Sequence, residues 1–380
     1  MRTTYDVIIA GAGSMGMSAG YYLAQRNLHV LLIDRFDPPH TSGSHNGDTR
    51  LIRHAYPGSL TYTEMALRSD QLWTELEEAS GETLLVRSGV LNLGSEELSM
   101  IGEKKKRAQQ FGLDVELVSA ADISVRWPGI ALPAGYAGVY ERNAGYLFSE
   151  ACVRAYRQQA LALGAELLPN TAVTGIQAGT DGSVSVQTSS GTFSAKKAVV
   201  SLGAWFGGLE GLPPLPIRPV RKAVGWFEAP EALYDVAHFP GFTITDTSGA
   251  GFYGFPSVDG SGVKIGRHDR GQDWAPGQPF EPFGHYPEDE AELRAGLEAL
   301  FPQAAGRLLR GAVCKYEFTP DEDFIIDLHP QNRNIVIAGG FSGHGFKFAS
   351  AVGEIAADLL TEGRSRFDLS PFSLGRFGSL

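Results

Sequence analysis

Short apolar runs recur along the chain, and most of them stop at a glycine or an acidic residue. Residues 7–25 carry no charge, enough to suggest a membrane span or a signal core, but Asp6 abuts the run and Gly11, Gly13, Gly16 and Gly20 interrupt it. The pattern predicts a strand over 6–10, a tight turn, and a helix over 14–25. HVLLID at 29–34 has the unbroken hydrophobicity of a buried parallel strand, so the opening segment predicts a βαβ unit. Residues 38–53 turn polar and are too rich in His and Arg for a mere connector. Leu67, Leu72, Trp73 and Leu76 then predict a helix over 63–78.

Beyond Gly81 the texture changes to short strands, beginning with VRSGVLNLG, and a polar helix over 96–111. KKKR at 104–107 falls in that helix and reads as a solvated face rather than a nucleic-acid or localisation signal. A helix over 150–163, a strand over 172–176, a turn at Asp181-Gly182 and a buried strand over 198–202 follow. The proline-rich segment 212–219 marks a crossing. After it come strands with aromatic alternation (GWFEA, FTITD, GFYGFPS, VKIGRH) and a helix over 289–300. The last segment returns to the opening texture: strands over 324–328 and 335–338, two glycines, and a helix over 344–360. The predicted class is α/β, with a discontinuous Rossmann-like domain (1–80, 150–215 and 320–380) and a mainly antiparallel sheet domain (81–149 and 216–319).

Composition narrows the function classes. The 380 residues hold 32 basic and 43 acidic side chains, a net charge of −11, which argues against nucleic-acid or anionic-membrane partners and for small molecules. The two cysteines, Cys152 and Cys314, form no paired motif, which fits a reducing, cytoplasmic setting. Nine histidines show no ligand spacing, so no metal site is expected. Glycine is about 12% of the chain, against roughly 7% usually, and it clusters where strands hand over to helices.

Gly11-Ala12-Gly13-Ser14-Met15-Gly16 is G-x-G-x-x-G between a predicted strand and a predicted helix, and Asp34 ends the next strand. That context predicts a dinucleotide site, with pyrophosphate at the helix N-terminus and ribose at the carboxylate. The fingerprint alone leaves NAD and FAD open. A second glycine turn, FSGHGFKF at 341–348, adds backbone N–H groups and Lys347, a device suited to the anionic side of a reduced flavin.

The segments GAGSMGMSAGYYLA, DPPHTSGSHNGDTRLIRHAY, RWPGI, LFSE, FYGFPS, CKYEFTPDEDFIIDLHP and FSGHGFKFAS span nearly the whole chain. Together they resemble the monomeric sarcosine oxidase and N-methyl-L-tryptophan oxidase family of the D-amino-acid-oxidase-like superfamily. The resemblance implies FAD bound covalently through Cys314. It implies cofactor contacts from Gly11, Gly13, Ser14, Met15 and Gly16, from Asp34, Arg35, His45 and Thr49, from Val173 and Gly203, and from Gly340, Gly343, His344 and Gly345. It gives Arg53 and Lys347 to the substrate carboxylate, Arg50 to the flavin's surroundings, and Lys264 to oxygen activation. His268 would face the amine, and Tyr253 and Tyr316 would line the pocket. Arg267 and Lys315 depart from the sarcosine-oxidase pattern.

The implied reaction is oxidative demethylation of an N-methyl-L-amino acid by O2, giving amino acid, formaldehyde and H2O2 in a monomeric enzyme. GDTRLIRHAY, VRSGVLNLG and the tail FDLSPF lean toward the tryptophan type. A flavin amine dehydrogenase that uses a carrier, and a non-catalytic dinucleotide-binding sensor, are the alternatives.

Overall fold

The computed structural model describes residues 4–95, 99–179, 181–245 and 249–378. Strand Thr4–Ala10 sits at the centre of the first sheet because its side chains are apolar on both faces, which suits a strand covered by helices on both sides. It runs parallel to Val30–Ile33 on one side and Gly191–Val200 on the other. Glu166–Leu168 and Asn332–Gly339 extend the parallel set. Val173–Ala178, Val184–Thr188 and Ile325–His329 add antiparallel strands. Ala10 is level with both Ile33 and Val200, so three carboxyl ends open at one height, where open α/β sheets place their ligands.

Helix Ser14–Gln25 makes the crossover between the first two strands. With Leu60–Ser80, Ser149–Ala162 and Ala349–Glu362 it buries one continuous core. Asp289, Leu293, Gly296, Leu297 and Leu300 form the buried stripe of helix Glu288–Leu300, part of which joins a separate core against the second sheet.

Among the described residues the strands form three sheets, of eight, nine and three strands. The nine-stranded sheet is antiparallel at every pairing except Gly241–Thr245 against Val90–Ser95. The small sheet joins Thr49–Ile52 to Gly145–Phe148 and Leu85–Val86, and so carries the polar segment after Pro38 between the two large sheets. No described helix is long and apolar enough to cross a membrane.

The mixed α/β class and the return of the C-terminal strands to the first sheet agree with the sequence reading. Two elements differ. The last helix starts at Ala349, after a 3-10 turn over Phe346–Phe348; the turn lets Lys347 leave the helix line and point into the interior. The polar helix is Ser99–Phe111; the expected start at Glu96 lies outside the described residues. Its KKKR segment is not a uniformly solvated face: Lys104 is fully buried, because Met100, Lys104 and Ala108 share one helical stripe and that stripe faces inward.

Candidate active site

A cavity of about 740 Å³ lies above the carboxyl ends of the parallel strands and extends under the antiparallel sheet. Its first end is built by the glycine turn. Gly11 has φ +91°, and a side chain there would put Cβ 2.5 Å from the Ser201 carbonyl oxygen. At Gly16 a Cβ would fall 1.9 Å from the Gly11 oxygen, so this glycine serves the strand–helix contact and does not line the cavity. Gly13, Ser14 and Met15 line it at the helix start. Asp34 accepts hydrogen bonds from the N–H groups of Ala12 (2.8 Å) and Phe36 (2.9 Å), which aims the carboxylate across the turn. Arg35, Val173 and Gly203 complete this end.

The middle is set by the polar segment after Pro38. Arg50 donates to the carbonyl oxygens of Thr49 (2.7 Å), Ser44 (2.7 Å) and Asn46 (2.6 Å), so its guanidinium pins the loop from within. Lys264 donates to the Gly47 carbonyl and to Thr49 at O (2.9 Å) and Oγ1 (3.1 Å). Burial, with Arg50 next, holds its pKa well below the usual lysine range. Burial and His40 push His45 down to about 3, so it is neutral and accepts from the His40 N–H.

Tyr316 donates to Tyr253 at 3.2 Å. Burial lifts Tyr253 to about 12 and Tyr316 well above its ordinary value, so both remain protonated. The His268 ring lies 5.7 Å from Tyr316, and burial with the Lys222 charge pushes it down to about 4. Cys314 is 3% exposed and sits behind the wall formed by its neighbours Lys315 and Tyr316.

The far end is cationic. Lys347 donates to the Tyr56 hydroxyl (2.7 Å) and the His344 carbonyl (2.6 Å), and Arg53 lies 4.9 Å over the Tyr56 ring. Burial, then Arg53 and Lys104, depresses Lys347 well below its ordinary pKa. An anion arriving here meets the Arg53 guanidinium and favours the protonated form of Lys347, with little competition from water.

Of the residues named from sequence, Gly11, Gly13, Ser14, Met15, Asp34, Arg35, His45, Arg50, Arg53, Val173, Gly203, Tyr253, His268, Tyr316, Gly343, His344, Gly345 and Lys347 line this one cavity. Gly16, Thr49, Lys264, Cys314 and Gly340 stand just outside its wall. Sequence reasoning missed Tyr56, Lys104 and Glu317. Lys104 donates to the Ala55 carbonyl at 2.7 Å and lies 4.0 Å from Glu141; its place on the buried stripe of its helix was a usable signal. Glu317 lines the cavity with Oε2 unpartnered, and burial raises it to about 8. Nothing in its spacing announces that.

A glycine turn at a helix start, an acid on the next strand and a long cavity between two sheets define a dinucleotide-dependent oxidoreductase. The chain matches the FAD dependent oxidoreductase family over residues 6–359 and belongs to it, so its cofactor is FAD. It is 48% identical to monomeric sarcosine oxidase of Bacillus sp. (strain B-0618), covering 99% of this chain and 97% of that one. It is 41% identical to N-methyl-L-tryptophan oxidase of Yersinia pestis (strain Pestoides F), covering 98% and 99%. Whole-chain identity thus runs opposite to the lean of the short motifs. Glycine oxidase from Geobacillus kaustophilus shares the fold at TM-score 0.83 and 23% identity, covering 99% of both chains. NikD, an amino acid oxidase of nikkomycin biosynthesis, does so at 0.85 and 24%, covering 98% of both.

The residues present fit the cofactor. The Gly11 turn leaves room for a pyrophosphate against the backbone, Asp34 offers oxygen acceptors to a ribose, and the cavity continues to a second set of glycines.

Proposed function

We propose that the protein catalyses oxidative demethylation of an N-methyl-L-amino acid, of the sarcosine or N-methyl-L-tryptophan kind, giving amino acid, formaldehyde and H2O2. The observation that carries this reading is the convergence of Arg53 and Lys347 on Tyr56 at one end of the FAD cavity, a receptor for one carboxylate beside a flavin. The two named relatives act, by their names, on N-methylated substrates. When bound, FAD takes a hydride equivalent from the N-methyl carbon and passes electrons to O2.

The chain's own groups do the rest. Arg53 and Lys347 fix the carboxylate, which orients the N-methyl carbon. His268, neutral well below pH 7, faces the amine without repelling it and can accept its proton. Tyr253 and Tyr316 stay protonated and close the pocket to bulk water. Arg50 supplies positive charge, and Lys264, held by Gly47 and Thr49, is placed to stabilise the negative charge that develops where electrons reach O2. In this reading Cys314 carries the flavin covalently, the first sheet with its helices is the FAD domain, and the nine-stranded sheet is the substrate domain. The protein acts as a cytoplasmic monomer.

A panel of sarcosine, N-methyl-L-tryptophan and their unmethylated parents, read by flavin bleaching without O2 and by H2O2 with it, tests the reading. Bleaching and peroxide with at least one N-methyl acid are expected; no bleaching by any would overturn it. Bleaching without peroxide would point to a carrier-linked dehydrogenase.

A further inference from the structure

Strand Leu308–Phe318 runs antiparallel to Arg218–Phe227, and their register puts Lys222 directly opposite Cys314 and Val220 opposite Tyr316. Opposed residues in such a pair share a face, with Cβ atoms about 4.5–5.5 Å apart. That face is dry. Val220, Cys314 and Tyr316 form one small buried cluster, and Lys222 is 1% exposed.

An ammonium has three donors and is seldom buried without a partner. Lys222 gives two of them to the carbonyl oxygens of Arg270 and, at 2.8 Å, His268. Its Nζ lies 5.0 Å from the centre of the Tyr316 ring, on the side of the strand that carries Cys314. The nearby acids are engaged elsewhere: Asp269 pairs with Arg267 and Arg270, and so does Glu292. Burial pushes Lys222 down to about 8, and Cys314 leads the groups that pull it back up, ahead of Asp269 and Glu292, with Arg267 opposing. Holding two carbonyls does not by itself call for a lysine opposite a cysteine in a closed cluster.

We propose that Lys222 generates and holds the Cys314 thiolate that attaches FAD to the chain, an inference that rests on the covalent link proposed above. The neutral Lys222 amine takes the thiol proton, leaving an ammonium beside a thiolate, the nucleophilic form of cysteine. The methyl carbon at the flavin's 8 position loses one proton, a sulfur–carbon bond forms there, and two electrons pass to the flavin ring. O2 takes those two electrons and two protons to give H2O2. In sum, thiol, methyl group and O2 become thioether and H2O2. Lys222 is the general base of this self-modification.

Full-length protein produced under riboflavin limitation, mixed with FAD in air and sampled over time, provides the test. Acid denaturation and intact mass measure attached flavin, and the visible spectrum before denaturation measures bound flavin. Lys222→Met is expected to bind FAD but attach it about 10- to 100-fold more slowly than wild type, whereas Lys222→Arg, which cannot take the thiol proton but keeps the charge that holds the thiolate, recovers only part of the rate. Attachment by Lys222→Met at the wild-type rate would overturn the proposal. If Lys222→Met binds no FAD, Lys222→Gln against Lys222→Arg decides it on the same readout: equal rates overturn it, a slower Gln variant supports it. A wild type that, like Cys314→Ala, releases all its flavin in acid would overturn the covalent link itself.

Discussion

Glu317 combines burial, an unpartnered oxygen and a place on the cavity wall. Burial raises its pKa from 4.5 to about 8, and only the Phe341 N–H opposes that shift. Between those values the folded chain holds a proton that the unfolded chain has lost, so stability falls as pH rises from about 4.5 to about 8 and is level above. At about 1.4 kcal/mol per pKa unit, that slope amounts to a few kcal/mol. Glu317→Gln should remove it, so thermal melts of variant and wild type should diverge in the variant's favour as pH climbs through the window. Parallel curves would mean that Glu317 is ionised when folded.

Lys264 makes a different prediction because all its donors are spent on Gly47 and Thr49. Lys264→Met should slow flavin reoxidation by O2 about 100-fold or more, with a much smaller effect on anaerobic reduction by substrate. Stopped-flow measurement of the two half-reactions separates them; equal losses would mean that the lysine only holds the loop.

At the scale of the element, the first turn has no slack. Gly11→Ala must hold a left-handed backbone and push against the Ser201 carbonyl, at a cost of about 1–3 kcal/mol, and it moves the helix start that faces the pyrophosphate. The expected result is a folded chain that purifies with little flavin, read from the ratio of visible to ultraviolet absorbance. This element was legible because a glycine fingerprint, an apolar strand and a helix N-terminus are local features. Helix 99–111 was legible as a helix but not as a wall. A lysine-rich segment normally faces water, and although Lys104 shares a helical stripe with Met100 and Ala108, its burial shows that this stripe is turned inward. The 3-10 turn before the last helix escaped for a similar reason: it exists to deliver Lys347 to Tyr56, and Tyr56 is 291 residues away.

For the whole molecule, the cavity is the seam. Its walls come from all three sheets, and it places Arg50, Arg53, Lys315 and Lys347 in the interior of a chain with net charge −11. Filling such a seam ties the sheets together, so flavin-free protein should melt about 5 °C or more below the flavin-loaded form. Calorimetry before and after FAD addition checks this; equal melting temperatures would mean that the sheets hold together without the cofactor.

Sequence alone was enough for whatever depends on neighbours in the chain: the βαβ opening, the dinucleotide turn and the mixed α/β class. Periodicity and glycine placement are short-range, so they survive translation into structure. Tertiary structure alone decided which cations face the cavity, which are pinned to carbonyls, and that Lys222 lies opposite Cys314. Those facts arise from strand register and from burial, which set the company and the protonation of each group across distances that no local pattern encodes.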